Sequence, residues 1–292
     1  MTNWLIVNAD DYAMSPGVTR GILEAHAQGV VTSTTALVNT RGAAEALAAA
    51  SAGAPGLSLG LHVNLSFGRP VLPPEAVPSL VAEDGYFFCG ARLLDAMKRF
   101  RASEVRREVA AQFVRFAQLV GRPPDHLDSH QHVGCLQPDV FAALVTLAEA
   151  AGIPLRDPGD FLDSCRLARL LHRIGRENHG AGPRFEDFKH LPETLNVLCR
   201  GLPPYRSPDA FRYEFYGTGA RLEVLLDLLC GLPEGVTELM CHPGYADSLE
   251  DSYCAPRERE LAILQDPLLL KAVRERGVVL TSFAVLGQSW TV

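Results

Sequence analysis

Three histidines and an aspartate fall within seven residues of this chain, in the run His126-Leu127-Asp128-Ser129-His130-Gln131-His132. If the run is extended, its even-numbered side chains share one face, because successive side chains of a strand alternate. Imidazole is the most common protein metal ligand near neutral pH. The run therefore predicts a metal or catalytic site. In that site His130 and His132 either both bind one cation or divide metal and substrate contacts between them.

Further acids and imidazoles stand near the ends of other predicted strands. Asp10 and Asp11 follow a buried strand close to the N-terminus, His62 lies late in another strand, and His242 follows a third. In βα architectures the functional site is built from residues at the carboxyl ends of the strands. We therefore expect these four residues to converge on the histidine run.

The residue types suggest a division of roles. Asp11, His62 and His130 would supply three metal ligands and leave positions open for water and substrate, as a catalytic metal site requires. A metal held in this way lowers the pKa of its bound water and polarises a carbonyl oxygen. Asp10 and Asp11 point in different directions from a strand end, so one can bind the cation while the other contacts the activated water. His242 can then act as a general acid for the leaving group.

The intervening sequence alternates between strand and helix patterns, which predicts parallel strands joined by helical crossovers. A chain of 292 residues fits one α/β domain spanning residues 1–292, since barrels of this length are routinely single domains. The predicted strands are 4–9, 30–38, 57–65, the histidine run, 153–156, 211–216, 236–241 and 278–283. The predicted helices begin at Pro16 and cover 43–50, 103–120, 138–151, 220–229, 256–264 and 267–276.

Two stretches break the alternation. Residues 67–90 contain four prolines and several aromatic residues, which predicts a long loop, and such loops are uncommon in compact domains unless they are functional. Residues 157–206 have weak periodicity and several Gly-Pro breakers, so the sequence predicts no particular fold for them.

Composition excludes several classes of protein. The chain is 47% hydrophobic and 21% charged, as in ordinary globular proteins. Its net charge of −7 and the lack of a basic block disfavour a nucleic-acid partner. No apolar run approaches the length of a membrane span, and Met1–Val7 lacks the basic region of a signal peptide. Seven cysteines without a C-x-x-C pair predict reduced thiols and a cytoplasmic location.

The ordered set of motifs resembles the YdjC-type carbohydrate deacetylases, which include the chitooligosaccharide deacetylases. The dinucleotide-binding, Walker and nucleophile-elbow signatures of other enzyme classes are absent from the sequence. Four motifs carry most of the resemblance: Asn8-Ala9-Asp10-Asp11-Tyr12, Gly60-Leu61-His62, the histidine run, and Met240-Cys241-His242-Pro243. Shorter matches at 31–39, Phe215-Tyr216-Gly217, Tyr253-Cys254-Ala255-Pro256-Arg257 and 281–283 extend it over nearly the whole chain.

This resemblance implies a fold, a cofactor and a reaction. The fold would be a distorted (β/α) barrel of mostly parallel strands. A divalent cation, Mg²⁺ in the family, would be held by the residues matching Asp11, His62 and His130, and Asp10 would be the catalytic base. The reaction would be hydrolysis of an N-acetyl group on an amino sugar. One departure is Tyr12-Ala13, which stands where the family usually has an aromatic-glycine pair.

The resulting hypothesis is a metal-dependent hydrolase that releases acetate from an amino sugar or a short N-acetylglucosamine-containing oligosaccharide. His242 would protonate the departing amine. The candidate substrate contacts are His132, Arg156, Tyr86 and Tyr245, although Arg156 could instead orient Asp10. Tyr86 and the two phenylalanines after it either stack on a pyranose ring or pack the proline-rich loop. The sequence leaves a homodimer open.

Two other functions and another metal remain open at this stage. The chain could be a metal-dependent phosphoesterase, for which Arg156 is the evident phosphate clamp, or a sugar-binding protein without activity on the same scaffold. Two imidazoles and one carboxylate suit Zn²⁺, Ni²⁺ or Co²⁺ at least as well as Mg²⁺, which prefers oxygen ligands.

Overall fold

A curled sheet of parallel strands forms the centre of the molecule. The computed structural model describes residues 2–156, 159, 163–165, 167–168, 171, 185–247 and 253–287. In this part of the chain seven strands pair in the order β4-β3-β2-β1-β6-β5, and β7 pairs with β1. The strands are β1 (Asn3–Tyr12), β2 (Ser33–Ala36), β3 (Ser58–Val63), β4 (Leu127–Ser129), β5 (Ala210–Arg212), β6 (Gly235–Cys241) and β7 (Val279–Thr281).

The first strand is the one on which the others are assembled. Along one edge, β1 pairs with β6 from Asn3 to Ala9. Along its other edge, Trp4–Ile6 pairs with β7 and the later part pairs with β2, beginning at Asn8. All of these pairings are parallel, so the carboxyl ends of the strands lie at the same edge of the sheet. That edge receives Asp10 and Asp11.

Helices cover the sheet and join its strands. The first of them, α1 (Pro16–Gln28), begins with Ser15 as N-cap, whose side chain accepts a hydrogen bond from the Val18 amide. The helices that follow in the described residues are α2 (Ala43–Gly53), α3 (Ala91–Met97), α4 (Ala102–Val120), α5 (Val133–Leu136), α6 (Pro138–Ala151), α7 (Phe185–Phe188), α8 (Leu191–Gly201), α9 (Leu222–Cys230), α10 (Cys254–Leu264) and α11 (Pro267–Glu275).

None of the described helices is by itself long and apolar enough to cross a bilayer. One bent pair, His130–Leu136 with Pro138–Ala151, meets that test by length and composition alone. The seven cysteines, all of which lie in the described residues, are free thiols. Reduced thiols in the cell and a cytoplasmic location stay predictions.

The predicted α/β class with parallel strands is confirmed, and most element boundaries agree within a few residues. Three predicted strands are wrong in extent. The strand predicted over 211–216 is limited to β5. Residues 153–156 contribute one isolated parallel bridge, between Leu155 and Leu127, in place of a strand. The histidine run is extended only over β4, after which the chain turns. Of the unassigned stretch 157–206, the described part contains α7 and α8.

The proline-rich loop is confirmed as a loop, and helix α4 anchors it. Glu108 accepts hydrogen bonds from the amides of Val71 and Leu72, at 2.8 and 3.1 Å. Glu104 accepts from the amide of Ser79 at 2.7 Å. Gln112 bonds both the amide and the carbonyl of Asn64, just after β3. Because these three side chains recur every four residues, they lie on one face of α4.

Candidate functional site

Asp11, His62 and His130 converge at the carboxyl edge of the sheet. They come from the end of β1, from β3 and from the turn after β4, and all three are buried. Asp11 Oδ1 lies 2.8 Å from His130 Nδ1 and 3.3 Å from His62 Nε2. One possible ligand atom from each of the three residues lies within 4.8 Å of the other two, so together they could hold a single metal ion.

The backbone at the end of β1 separates the two adjacent acids. Asp11 has a φ of 71° and Ala13 a φ of 69°, in the left-handed region that residues other than glycine adopt rarely. The register between β1 and β2 also shifts between Ala9 and Tyr12. As predicted from the sequence, Asp10 and Asp11 therefore face different partners. Ala13 thus adopts a backbone conformation that favours glycine.

The two oxygens of Asp11 have different partners. Its Oδ2 accepts a hydrogen bond from Arg257 at 2.7 Å. Its Oδ1 is buried and makes no hydrogen bond to any described residue. Its contacts with the imidazoles of His62 and His130 do not have hydrogen-bond geometry. A buried carboxylate oxygen without a well-directed hydrogen bond is costly, and a cation between this oxygen and the two imidazoles would remove that cost. The donor set therefore fits a divalent metal.

His62 is oriented by Asp128, which points its other ring nitrogen at the site. Its Nδ1 lies 2.6 Å from Asp128 Oδ1, and Asp128 Oδ2 accepts a hydrogen bond from Thr35. A carboxylate partner on the distal nitrogen of a histidine is typical of metal sites. Burial by itself would lower the pKa of His62, but the negative charges of Asp128 and its neighbours raise that pKa to about 10.

The turn after β4 sends its two histidines to different places. Gln131 and His132 both have left-handed φ values, 52° and 56°. His130 thus reaches Asp11 and also meets the edge of the Phe67 ring, with the ring centroids 6.3 Å apart. His132 instead meets the edge of Phe211 at 6.1 Å. The prediction that these side chains line one extended edge is wrong, because the strand ends at Ser129.

His126 is a core histidine. Its ring stacks on Phe283 at 3.8 Å, and its Nε2 lies 3.1 Å from Asn8 Oδ1. Burial holds the pKa of His126 well below its ordinary value, so the ring is neutral. Gly60 makes room for this ring, since a Cβ at that position would come within 2.5 Å of it. The glycine of the Gly60-Leu61-His62 motif is thereby explained by packing.

Asp10 is held by a fully buried arginine. Arg156 donates two hydrogen bonds to Asp10, at 2.8 Å to Oδ2 and 2.6 Å to Oδ1. Asn8 donates a further bond to Oδ1 at 2.9 Å. Although burial opposes ionisation, the charge of Arg156 holds the pKa of Asp10 below its ordinary value. Arg156 also lies within 2.9 Å of oxygens of Asp128 and Glu238.

A second group of possible ligands, Asp10, His62 and Asp128, shares His62 with the first. It is less suited to a metal, because the Asp10 oxygens already accept hydrogen bonds from Arg156 and Asn8. The oxygens of Asp128 are likewise engaged by His62 and Thr35. The group that contains Asp11 is therefore the better candidate.

His242 follows β6 and is half-buried. The rings of Tyr216 and Tyr253 meet it edge-on, with centroids 5.2 and 5.7 Å away, and its backbone amide donates to the Glu260 carboxylate. Burial, opposed by the charge of Asp10, lowers the pKa of His242 to about 4. The imidazole is therefore neutral near pH 7.

Two predicted substrate contacts are held by other partners. The Tyr245 hydroxyl donates to Glu24 on α1 at 2.6 Å, and Arg20 lies over its ring. Tyr86 is 47% exposed on the proline-rich loop, under the guanidinium of Arg69. The neighbouring Phe87 is buried and packs the loop against the core.

Sequence reasoning assigned no role to several residues that surround the site, namely Asp128, Glu238, Arg257 and Glu260. Glu238 could have been noticed, since it is a charged residue within the otherwise apolar β6. Asp128 belongs to the histidine run, two residues before His130. Glu260 lies among charged neighbours on α10, and no signal in the sequence distinguishes it from them.

Comparison with known proteins decides the family. The YdjC-like protein family model matches residues 4–275. The chain belongs to the YdjC-like family. Among curated relatives, the chitooligosaccharide deacetylase of Serratia marcescens is 38% identical over 288 residues, covering 97% of this chain and 99% of its own. The carbohydrate deacetylase of Enterococcus faecalis V583 is 34% identical over 291 residues, covering 97% of both chains.

A solved structure supports the YdjC-like fold. It comes from E. faecalis V583, and its proposed role is cellobiose-phosphate cleavage. The two chains are 34% identical and superpose with a TM-score of 0.79, over 99% of this chain and 100% of that one. In the YdjC-like chain described here, the motifs that carried the resemblance supply Asp10, Asp11, His62, His130 and His242.

Proposed function

We propose that this chain is a metal-dependent hydrolase that removes the N-acetyl group from an amino sugar or a short N-acetylglucosamine-containing oligosaccharide. The observation that carries the proposal is the Asp11 Oδ1 atom, which is buried between His62 and His130 and makes no hydrogen bond to a described residue. The names of the curated relatives, chitooligosaccharide and carbohydrate deacetylases, support the same reaction.

Asp11, His62 and His130 would hold the ion. When bound, a divalent cation supplies a Lewis acid that polarises the acetyl carbonyl and lowers the pKa of water. Family resemblance implies Mg²⁺, but two imidazoles and one carboxylate are the donor set that Zn²⁺, Ni²⁺ or Co²⁺ prefers. Asp128 would support this set by accepting a hydrogen bond from His62 Nδ1, which leaves Nε2 for the ion.

Asp10 would accept the proton of the attacking water. Its pairing with Arg156 keeps the carboxylate ionised throughout the physiological range and fixes its orientation. A base whose position is fixed before the substrate binds loses little entropy in the reaction. In this proposal Arg156 orients Asp10 rather than the sugar, because three carboxylates already surround its guanidinium.

His242 would protonate the departing amine. Since its imidazole is neutral at rest, the proton that it delivers has to arrive during the reaction. The proton that Asp10 takes from the water would pass to His242, and His242 would give it to the amine nitrogen as the C–N bond breaks, so that both residues return to their starting protonation states. His132 and Phe67, both half-buried beside these groups, are the proposed contacts of the sugar.

The phosphoesterase alternative is weakened by the same geometry. It needed Arg156 as a clamp for a phosphate. In the structure this guanidinium is buried and bonded to Asp10 and Glu238. Its N–H groups are therefore already used by protein carboxylates and are poorly placed to bind a phosphate.

Acetate release tests the proposal. The protein would be stripped with a chelator and assayed on N,N'-diacetylchitobiose and on other N-acetylated sugars. Reconstitution with Mg²⁺, Zn²⁺, Ni²⁺ or Co²⁺ would follow, with a nucleotide monophosphate as the phosphoester control. We expect acetate release only after metal is returned, and no phosphate release.

Folding would be monitored by circular dichroism, to separate loss of metal from loss of structure. Full acetate release from folded, chelated protein contradicts metal dependence. Phosphate release without acetate release favours the phosphoesterase, and sugar binding without either product favours a binding protein.

A further inference from the structure

Glu260 on α10 is a carboxyl group with no exposed surface. One of its oxygens accepts a hydrogen bond from the backbone amide of His242, and the other accepts from the Tyr253 hydroxyl at 2.5 Å. Burying a carboxyl group is costly, and an apolar side chain would pack a helix against a strand at lower cost. The two hydrogen bonds that Glu260 accepts therefore indicate a role other than packing.

Tyr253 links this carboxyl group to a second segment. Its hydroxyl accepts a hydrogen bond from the Gly217 amide at 2.5 Å. Its ring stacks on Tyr216, with the centroids 4.3 Å apart and the planes 3° from parallel. Both rings contact the His242 imidazole at a steep angle between the ring planes, 68° for Tyr216 and 71° for Tyr253. The ring of His242 is thus confined by two aromatic rings, and its backbone is tied to the same assembly.

The approach of α1 completes the support of this segment. Gly21 packs so close to Gly244 that a Cβ at Gly21 would lie 2.5 Å from the Gly244 Cα. The Gly244 amide in turn donates to the Arg257 carbonyl, one turn before Glu260. The turn that carries His242 is therefore held from α1 on one side and from α10 on the other.

We propose that Glu260 and Tyr253 are positioning residues, which hold the His242 imidazole where it can protonate the leaving amine. This inference rests on the proposed deacetylase function and extends it to two residues that do not touch the reacting atoms. It also gives a role to two sequence motifs, Phe215-Tyr216-Gly217 and the segment beginning at Tyr253, which contribute none of the proposed ligands or bases.

The physical reason is the steep distance dependence of proton transfer. A general acid acts at hydrogen-bond distance, about 2.6–3.2 Å between heavy atoms, and a displacement of about 1 Å can cost about 10²-fold in rate. Without the carboxyl group, the His242 amide would lose its acceptor and the turn could shift. Without the Tyr253 hydroxyl, the stacked rings of Tyr216 and Tyr253 would lose their hydrogen bonds to Gly217 and Glu260.

A double-mutant cycle tests the proposal. Glu260→Ala, Glu260→Gln and Tyr253→Phe would be measured alone and combined with His242→Ala, on an N-acetyl sugar and on an acetate ester with a good leaving group. We expect Glu260→Ala to lower kcat on the amide by about 10–10²-fold, within the range of general acid catalysis, with little change in KM. The loss on the ester should be much smaller.

In the His242→Ala background, Glu260→Ala should cause no further loss, because it acts through His242. Glu260→Gln should recover most of the activity, since an amide oxygen can still accept from the His242 backbone. Glu108→Ala is the matched control, because Glu108 is also fully buried and also accepts backbone amides. Any loss that it causes should be independent of His242.

Losses of Glu260→Ala that multiply with those of His242→Ala, or that are equal on amide and ester, would overturn the positioning role. If Glu260→Ala does not fold, the same cycle with Tyr253→Phe decides. Wild-type protein that releases no acetate contradicts the proposed function itself. An active wild type with independent losses contradicts only the role of Glu260 and Tyr253.

Discussion

At the scale of single residues, two neighbouring acids have been given different surroundings. Asp10 is paired with Arg156, whereas one buried oxygen of Asp11 faces the imidazoles of His62 and His130. A left-handed backbone at Asp11 produces this separation. Such backbone strain is typical of functional sites, where the surrounding structure maintains it.

This separation predicts opposite effects of two similar substitutions. Asp11→Asn should weaken metal binding strongly, because a neutral amide oxygen is a poorer ligand for a divalent cation. Asp10→Asn should keep the metal and the KM but lower kcat, the pattern of a group that acts in the transition state. Metal content by mass spectrometry, with steady-state kinetics on both variants, checks this. If Asp10→Asn loses the metal and Asp11→Asn keeps it, Asp10 is the ligand and Asp11 is the base.

The two histidines of the turn after β4 give a second residue-scale prediction. His130→Ala should reduce metal affinity, because His130 Nδ1 lies 2.8 Å from Asp11 Oδ1. His132→Ala should retain the metal and raise the KM for the sugar, since its ring lies beside Phe211 instead. Isothermal titration of each stripped variant with metal is the measurement. The reverse result would make His132 the ligand.

At the scale of elements, helix α4 works as an anchor for the loop beside the site. Its buried polar side chains bind the backbone of residues 64–79 in three places. The segment that leads from β3 into this loop begins at Asn64, two residues after His62, and the loop carries Phe67, whose ring contacts His130. Helix α4 therefore carries, beside its apolar face, a row of buried polar side chains that binds the backbone of this segment.

Removing the central anchor should loosen the loop. Glu108→Ala leaves the amides of Val71 and Leu72 without their acceptor, and an unsatisfied buried group costs about 1–3 kcal/mol. We expect that loss in the free energy of unfolding, measured with urea, and faster hydrogen exchange at both amides. Gln118→Ala, at an exposed position on the same helix, is the control and should change stability by less than about 0.5 kcal/mol. Unchanged exchange at Val71 would contradict the anchoring.

At the scale of the whole molecule, buried acids make stability depend on pH. Burial raises the pKa of Glu260 to about 8 from an ordinary value of 4.5. Between these two values the folded protein binds more protons than the unfolded chain. The unfolding free energy therefore falls as the pH rises through this window and levels off above it.

Glu260→Gln removes this contribution, because an amide does not titrate. The stability of the variant relative to wild type should therefore increase from pH 5 to pH 8 and stay constant above that. Urea unfolding of both metal-free proteins across this range gives the difference in unfolding free energy. The contributions of other groups that titrate in the range, such as Glu238, cancel in that difference. A difference that does not change with pH would mean that Glu260 keeps an ordinary pKa.

The sequence by itself determined the fold class, the family and the principal acids and imidazoles that meet at the site. Strand-helix alternation is a local pattern, since side-chain periodicity reflects which face of each element is buried. Parallel strands bring their carboxyl ends to one edge, so Asp10, Asp11, His62 and His242 had to approach one another. For the same reason, helix boundaries such as those of α6 were predicted correctly from the sequence.

Tertiary structure alone decided what each of these residues contacts. The turn at Gln131 that separates His130 from His132 depends on two left-handed residues that no periodicity indicates. The pairing of Arg156 with Asp10 joins positions 146 residues apart, and the contact between Glu260 and His242 joins two separate elements. Such contacts arise from the packing of whole elements, which local sequence patterns do not encode. The assignment of roles within the site therefore follows from three-dimensional packing.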